Sequence, residues 1–243
     1  MNPRLDTCRS AGRTDRGKLR SRNEDAFLDQ PQMGCWAVAD GMGGHRAGDV
    51  ASRWVVDSLA SLACGGGLDA RIKRVRRCLQ WLDRRLRQEI TVTSPNVDCT
   101  MGSTVVVLLL EGDRAVCIWA GDSRCYLWRE RTLYQLSRDH SLQEQLRVEQ
   151  QLSPAQARAH PAANALTRAI GADEPVALEV LELTRNPGDV FLLCSDGLYQ
   201  ALSHAELGQA LSLATPESML DRLFDGVLRG EARDNLTAVV VKP

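Results

Sequence analysis

The sequence predicts an α+β fold in which β-sheets are covered on the outside by helices. A short apolar strand comes before two long amphipathic helices, and several strands, further helices and a closing strand follow. This order fits sheets flanked by helices better than a regular βαβ alternation. Residues 105–110 are apolar at every position, which is typical of a strand covered on both faces.

The first half of the chain is predicted to contain one strand and two helices. Residues 35–39 form a short apolar run that ends at Asp40 and Gly41. Apolar residues recur at helical spacing in residues 48–62 and again in residues 69–90. Each segment therefore predicts a helix with one apolar face, and the two helices could pack as a pair on a sheet.

The middle of the chain changes to strand periodicity. Residues 103–110 and 114–120 are predicted as strands joined at Gly112-Asp113, a tight hairpin signal. The other predicted strands are 126–128 and 133–136, which form a second hairpin, and then 177–183, 190–194 and 236–241.

Capping signals mark three helix starts in the second half of the chain. Ser153 and Gln156 form a capping-box pattern inside a polar excursion at residues 141–160. Ser203, with a glutamate three residues later, caps a further helix, and Thr215-Pro216 begins the last one.

Composition excludes several classes of protein. The chain has 243 residues, of which 44% are hydrophobic and 25% charged, with a net charge of −1. These values are typical of a globular protein and indicate no general attraction to nucleic acid or anionic membranes. The longest apolar run, 105–110, is far shorter than the ~20 residues of a membrane helix, and residues 1–10 lack the apolar segment of a secretory signal. We expect a cytoplasmic, monomeric protein with a single domain over residues 1–243.

The eight cysteines show no CxxC pair and no cysteine–histidine metal spacing. Their even number would allow disulfides. In a chain of this size without a signal peptide, we expect reduced and mostly buried thiols instead.

Carboxylates stand at the ends of several apolar strands, beside glycine or small polar residues. If these strand ends converge, five or six carboxylates meet and must bind cations or take up protons. Oxygen-only ligands select hard divalent ions and disfavour zinc. An Asp-Gly pair after a strand is most often a plain turn, and any one pair alone favours that interpretation. The pairs are Asp40-Gly41, Gly121-Asp122, Asp196-Gly197 and Asp234-Asn235, and Glu24-Asp25 adds two acids after Arg20.

Eight short motifs in a fixed order resemble those of the bacterial metal-dependent serine/threonine protein phosphatases of type 2C. The resemblance extends from about residue 14 to residue 241. It implies a four-layer α-β-β-α sandwich of two antiparallel sheets flanked by helices, with a small flap at about residues 141–162. The motifs are Arg20-Ser-Arg-Asn-Glu-Asp25, Asp40-Gly-Met-Gly-Gly-His45, Gly102-Ser-Thr104, Gly121-Asp-Ser-Arg124, Asp139-His-Ser141, Asn164-Ala-Leu-Thr-Arg-Ala-Ile-Gly171, Ser195-Asp-Gly197 and Arg233-Asp-Asn235.

The resemblance implies a core site for two ions, Mn²⁺ or Mg²⁺. Asp40 would bridge both ions, and the carbonyl of Gly41 would bind one of them. Asp196 and Asp234 would hold the other ion directly.

Three further acids are implied to act at the margin of this site. Glu24 and Asp25 would act mainly through bound waters. Asp122, together with Asp196, matches the position that holds a third metal in bacterial members.

Arg20 matches the phosphate-binding arginine of the family. Its planar fork suits two phosphate oxygens at once, so even Arg20→Lys should weaken substrate binding. For most other arginines of this chain, a solvated surface position is the better interpretation.

The implied mechanism is direct attack on the phosphoryl group by a water activated between two cations, without a phosphoenzyme. Some relatives have a histidine directly after the Asp-Gly as general acid, where this chain has Met42. His45 could serve instead, a metal-bound water could supply the proton, or His45 could be a packed residue at a helix start. In the flap, relatives commonly have glycine where this chain has Gln150.

The second helix also carries a basic run. We interpret it as the solvated face opposite the apolar stripe, with docking of an acidic partner as the alternative and nucleic-acid binding disfavoured. The run comprises Arg71, Lys73, Arg74, Arg76, Arg77, Arg84, Arg85 and Arg87.

The leading functional hypothesis is a phosphatase that acts on phosphorylated proteins and opposes a cognate serine/threonine kinase, with type VI secretion as one context. A pseudophosphatase that binds phosphoproteins without turnover is the second. It is disfavoured because none of the expected metal-ligand acids is missing. A different two-metal hydrolase, such as a phosphodiesterase, is the third, and the motif order gives it no support.

Overall fold

Eleven strands in the described part of the chain form two antiparallel sheets. The computed structural model describes residues 8–43, 47–63, 65–93, 101–172 and 174–243, and the side chains of 90–93 are not described. Sheet A has the order β1 (Arg9–Asp15), β11 (Leu236–Lys242), β10 (Val190–Cys194), β7 (Arg124–Arg129) and β8 (Thr132–Gln135). Sheet B has the order β2 (Asp25–Gln30), β3 (Cys35–Gly43), β5 (Val105–Glu111), β6 (Arg114–Ala120) and β9 (Glu179–Thr184), and β4 (Met101–Ser103) pairs with β3.

Helices cover the outer face of each sheet. On sheet B lie α1 (Ala47–Ala60) and α2 (Gly67–Thr93), and on sheet A lie α5 (Asp196–Tyr199), α6 (His204–Leu211) and α7 (Pro216–Arg229). Between β8 and β9 the chain forms α3 (Leu142–Glu149) and α4 (Pro154–Arg158). The predicted α-β-β-α sandwich is confirmed.

The strand at the centre of sheet B shows why the sequence is apolar at consecutive positions. Val105, Val107 and Leu109 of β5 belong to the core beneath α1 and α2. Val106 and Leu108 point the other way, into the layer between the two sheets. Because side chains alternate along a strand, burial on both faces requires an unbroken apolar run.

The predicted strand 103–110 is divided at Thr104. The Thr104 N–H donates to the carbonyl of Asp40 (2.8 Å), and the Asp40 N–H donates to Thr104 Oγ1 (3.0 Å). On one side of this contact β3 pairs with β5, and on the other it pairs with β4. The division therefore marks a change of partner strand at Asp40.

Among the α-helices and β-strands of the described residues, four were not predicted as regular structure, namely β1, β2, α3 and α5. β1 and β2 are edge strands with polar, partly exposed sequences, so they lack an apolar pattern. α3 lies within the polar excursion and buries only Leu146, and α5 is four residues long.

The predicted helix caps are confirmed. Ser153, Ser203 and Thr215 each accept a hydrogen bond from the N–H three residues later, and each completes a capping box. Four of the cysteines in the described residues are buried free thiols, namely Cys35, Cys117, Cys125 and Cys194, whereas Cys64 and Cys99 lie outside that part. Within the same part, no helix is long and apolar enough to cross a bilayer.

The layer between the sheets should carry much of the stability of the fold. Leu108 is fully buried there, so Leu108→Ala should lower the free energy of unfolding by about 2–5 kcal/mol. Val180→Ala on edge strand β9, where the side chain is 42% exposed, is the matched control and should cost less than about 1 kcal/mol. Urea unfolding at equilibrium measures both, and equal losses would contradict this account.

Candidate active site

The predicted acids meet at an edge shared by both sheets. In sheet B, Asp25 opens β2 and lies directly opposite Asp40 of β3. In sheet A, Asp196 follows β10 and Asp234 comes just before the neighbouring strand β11. Asp122 follows β6 of sheet B. Burial and the negative charges of the other four aspartates raise the pKa of the Asp40 carboxyl group. The structure therefore brings these five side chains together, and we call them the aspartate cluster.

Glu24 and Gly41 lie beside this cluster, against the start of α1. The Gly41 N–H donates to the carbonyl of Glu24 (3.0 Å). A Cβ on Gly41 would lie 1.9 Å from the carbonyl oxygen of Gly48, so β3 can pass α1 here only with glycine. A Cβ on Gly48 would lie 2.9 Å from both the Gly41 oxygen and the Glu24 carboxyl carbon. The Gly41 carbonyl and the Glu24 carboxylate thus border one small gap.

Two hydroxyl groups link Asp40 to the turn between β6 and β7, which contains Asp122. Thr104 Oγ1, which accepts from the Asp40 N–H, also shares a hydrogen bond of 2.7 Å with Ser123 Oγ. Ser103 Oγ donates to the Asp40 carbonyl at 3.1 Å. The backbone at Asp40 is therefore fixed from both sides, which sets the direction of its side chain.

Burial raises the pKa of each aspartate that the cluster withdraws from water. The pKa rises to about 7 for Asp25, to about 7 for Asp122 and to about 6 for Asp196, first through desolvation and then through neighbouring carboxylates. For Asp40 the same causes raise the pKa well above its usual range. A group of carboxylates in this state is stabilised either by protons or by cations.

The donor set fits a hard divalent cation. One oxygen of Asp25, Oδ2, accepts from Ser195 Oγ (2.7 Å), but Oδ1 is buried with no hydrogen-bond partner among the described residues. The surrounding side-chain donors are carboxylate oxygens, which Mg²⁺ and Mn²⁺ prefer. A divalent ion bound here would give the buried Oδ1 of Asp25 the partner that it lacks among the described residues.

Several carboxylate oxygens of the cluster bind protein groups. Arg20 Nη2 donates to Asp234 Oδ2 (2.6 Å), and Gln200 Nε2 donates to Asp196 Oδ2 (2.8 Å). Within the described residues, no three histidine, cysteine, aspartate or glutamate side chains form a ready-made metal cage. Binding an ion would therefore require some of these contacts to be exchanged.

Arg20, the predicted phosphate ligand, lies at the open side of the cluster. Its side chain is 55% exposed. Hydrogen bonding to Asp234, together with the charges of Asp196 and Asp40, raises the pKa of the guanidinium above its usual value. The guanidinium group of Arg20 is therefore permanently charged, lies next to the acids and can be reached from solvent.

Asn235 holds the loop that carries Arg20, a role that the sequence analysis did not assign. Its Oδ1 accepts from the Glu24 N–H (2.8 Å), and its Nδ2 donates to the carbonyls of Arg16 (2.9 Å) and Arg22 (2.8 Å). The position next to Asp234 in the motif was the only signal for it. One amide therefore joins the start of β11 to both ends of the Arg20 loop.

A second unpredicted network lies behind Asp122. Arg124 donates to both oxygens of Asp139 (2.8 and 2.6 Å) and to Tyr126 Oη (2.9 Å). Its guanidinium carbon lies 3.6 Å from the ring centre of Tyr199 in α5. The network connects β7 to the helix that begins at Asp196.

His45, a candidate for the general acid beside a metal-bound water, lies outside the described residues. His140 of the Asp139-His-Ser141 motif is buried, and its Nδ1 accepts from the Gly121 N–H (3.1 Å) next to Asp122. In the flap, Gln150 has an ordinary φ of −103°, and the left-handed residue is its neighbour Gln151 with φ +54°. The backbone at position 150 therefore does not require glycine.

Removing one buried carboxylate should stabilise the protein in EDTA. Since the raised pKa of Asp40 disfavours its ionised form, wild-type stability should fall as pH rises above about 4, the ordinary carboxyl pKa. Asp40→Asn should therefore be more stable than wild type by about 1–3 kcal/mol at pH 8, with a smaller difference at pH 5. Urea unfolding measures this, with exposed Asp225→Asn as the control. A less stable Asp40→Asn at pH 8 would refute the repulsion.

Comparison with known proteins places the chain in a family. The family model described as protein phosphatase 2C matches residues 16–240. The serine/threonine protein phosphatase PstP of Mycobacterium tuberculosis is 35% identical over 240 residues, which cover 96% of this chain but only 44% of that relative.

Solved structures agree with the family match. A structure described as PppA, a key regulatory component of T6SS in Pseudomonas aeruginosa, superposes with a TM-score of 0.89 at 41% identity, covering 98% of both chains. A catalytic domain of PstP in complex with two manganese ions superposes with a TM-score of 0.82 at 34% identity, covering 97% of each chain. From the length of the match and the shared fold, the chain belongs to the protein phosphatase 2C family of metal-dependent serine/threonine protein phosphatases.

Proposed function

We propose that this protein hydrolyses phosphoserine and phosphothreonine in proteins, using two divalent cations, Mn²⁺ or Mg²⁺, held by the aspartate cluster. The observation that carries the proposal is the convergence of five aspartates next to the exposed fork of Arg20, namely Asp234 and four others whose pKa values are raised, Asp25, Asp40, Asp122 and Asp196. The PstP domain that contains two manganese ions supports this number of ions.

The proposed ligands are those implied by the motifs. Asp40 would bridge the two ions and the Gly41 carbonyl would bind one, with Asp196 and Asp234 on the other. When bound, such ions supply a hydroxide nucleophile near neutral pH and offset charge on the transferring phosphoryl group. The remaining acids are proposed to act through bound water or on a third ion; they are Glu24, Asp25 and Asp122.

The residues of the chain orient the substrate and the acids. Arg20 donates two parallel hydrogen bonds to phosphate oxygens once it leaves Asp234, and this fixes the phosphate relative to the cluster. Asn235 limits the movement of the Arg20 loop, and Ser195 fixes one oxygen of Asp25. Positioning of this kind lowers the entropic part of the barrier.

We also propose that residues 141–162 act as a flap beside the site. Ser141 pairs with Leu166, and the Leu142 N–H donates to the Ala165 carbonyl (2.8 Å). The two ends of the segment therefore meet at one place. We expect that α3 and α4 can change position without disturbing the sheets.

The narrower proposal concerns biological context. The Pseudomonas neighbour is described as a key regulatory component of T6SS, which supports a role in control of type VI secretion. In that role we propose that the protein opposes a serine/threonine kinase. Phosphoproteomics of a deletion strain tests this, because secretion components should gain phosphorylation. A phosphoproteome in which those components are unchanged would reject the context while leaving the chemistry intact.

Activity should depend on metal and on Asp40. Hydrolysis of p-nitrophenyl phosphate and of a phosphothreonine peptide should proceed with Mn²⁺ and stop with EDTA. Asp40→Asn should lose at least about 100-fold in kcat, because the carboxylate proposed to bridge both ions is gone. Circular dichroism should show an unchanged fold. Equal rates with Mn²⁺ and EDTA would reject the enzyme hypothesis, and a stable but inactive wild type would favour the pseudophosphatase.

Arg20→Lys should act on substrate binding more than on the chemical step. A lysine keeps the charge but replaces two parallel hydrogen bonds with one point contact, so KM should rise about 5–20-fold, while kcat changes less. Arg222→Lys, on the exposed face of α7, is the control. Steady-state kinetics on the phosphothreonine peptide separates the two constants. An unchanged KM would remove Arg20 from the phosphate site.

A further inference from the structure

A surface cavity of about 860 Å³ lies at the end of sheet A that is opposite to the aspartate cluster. Strand β10 starts in this cavity at Val190 and ends just before Asp196 in the cluster. At about 3.3 Å per residue, these two positions are about 20 Å apart. The cavity is therefore separate from the proposed catalytic site, and we call it the Trp128 groove.

The groove has an apolar floor and a basic rim. Leu133 and Leu211 are buried at its base, and Trp128 forms one wall. Arg131, His204 and Lys242 lie around the opening, and no aspartate or glutamate is among the described residues that line it. A ligand that fits this pattern carries negative charge around an apolar group.

Among the described residues, no acidic side chain pairs with the rim cations Arg131 and Lys242. Arg131 makes no ion pair within the described part of the chain, and Lys242 Nζ donates to the neutral carbonyl of Ala214 (2.9 Å). The neighbouring Arg129 is different, because it donates to both oxygens of Asp189 (2.8 and 2.7 Å). Arg131 and Lys242 are thus available to an anionic ligand, whereas Arg129 has a structural partner.

The backbone that holds Arg131 at the rim is strained. The two-residue turn between β7 and β8 consists of Glu130 (φ +50°) and Arg131 (φ +62°). Hairpin turns of this kind require left-handed backbone at both positions and favour Asn-Gly. Glycine at either position would relieve the strain, but only Arg131→Gly would remove a positively charged side chain from the rim.

The shape of the groove distinguishes a peptide from a small molecule. Small-molecule pockets enclose most of their ligand. Here, by contrast, Thr132, Ala205, Gln209 and Leu213 of the lining are exposed, so the opening is wide. An extended segment can lie across such an opening and insert one side chain onto the floor.

We propose that the Trp128 groove binds a short acidic segment of a partner protein, with one bulky apolar side chain placed between Trp128 and Leu211. The acidic residues on either side of that side chain pair with Arg131 and Lys242. The groove thus recruits partners independently of the phosphate chemistry about 20 Å away.

Fluorescence anisotropy of the full-length protein with a labelled peptide, Asp-Glu-Asp-Leu-Phe-Asp-Glu-Asp, tests the proposal. Binding should weaken at least about fivefold in Arg131→Gly, which corresponds to the loss of one ion pair of about 1 kcal/mol. A peptide with Gly-Ser in place of Leu-Phe should bind more weakly than the original, and a lysine version should not bind.

Glu130→Gly is the matched control, since it relieves strain in the same turn without removing a rim cation. Both glycine variants should melt at or above the wild-type temperature, but only Arg131→Gly should lose peptide. Arg53→Gln on α1, far from sheet A, controls for net charge and should bind as wild type does. Hydrolysis of p-nitrophenyl phosphate should be unchanged in these variants.

Four results would overturn the proposal. They are full binding by Arg131→Gly, an equal loss in Glu130→Gly or Arg53→Gln, tighter binding of a small aryl carboxylate such as 2-naphthoate than of the peptide, and loss of peptide in Asp40→Asn. The last result would place the peptide at the aspartate cluster. Because Asp40→Asn should abolish hydrolysis but keep peptide binding, failure of the groove and failure of the proposed function are separable.

Discussion

The mutual repulsion of carboxylates at the junction of the two sheets is the constraint on which the architecture depends. Asp25 and Asp40 face each other across one strand pair, and Asp196 and Asp234 stand at the ends of another. Charges of one sign in low dielectric drive such groups apart unless a rigid frame holds them. The apolar layers on both faces of each sheet supply that frame.

The frame works because the main chain is held by hydrogen bonds at Asp40 and at the end of β10, just before Asp196. Hydrogen bonds from Thr104 and Ser103 hold the main chain at Asp40, and the Ser195 N–H and hydroxyl tie the end of β10 to Thr237. The carboxylate oxygens keep exchangeable partners such as Arg20 and Gln200. The backbone of the site is therefore held in place, while the carboxylate oxygens can exchange their present partners for a ligand.

Most of the buried architecture is predictable from residue patterns, and most of the polar architecture is not. Strands β6 and β10 have the bounds that their apolar runs indicate, because burial on two faces leaves an unmistakable pattern. Strands β1 and β2 could not be predicted, because edge strands that are exposed on one side tolerate polar residues and so lack an apolar pattern. The acids are recognisable as strand-end residues, and the chain order of the motifs identifies the family. The roles of Asn235 and Arg124 depend on contacts across more than one strand, and no local pattern encodes these.

The pairing of β1 with β11 has a consequence for synthesis of the protein on the ribosome. One side of the aspartate cluster is Asp234, and the Arg20 loop is anchored by Asn235, so neither is complete until the segment that forms β11 has emerged. Cations bound as proposed would therefore find no complete site in the nascent chain before that point. On the proposed function, metal capture is then among the last events of maturation, after residues more than 200 positions apart have come into contact.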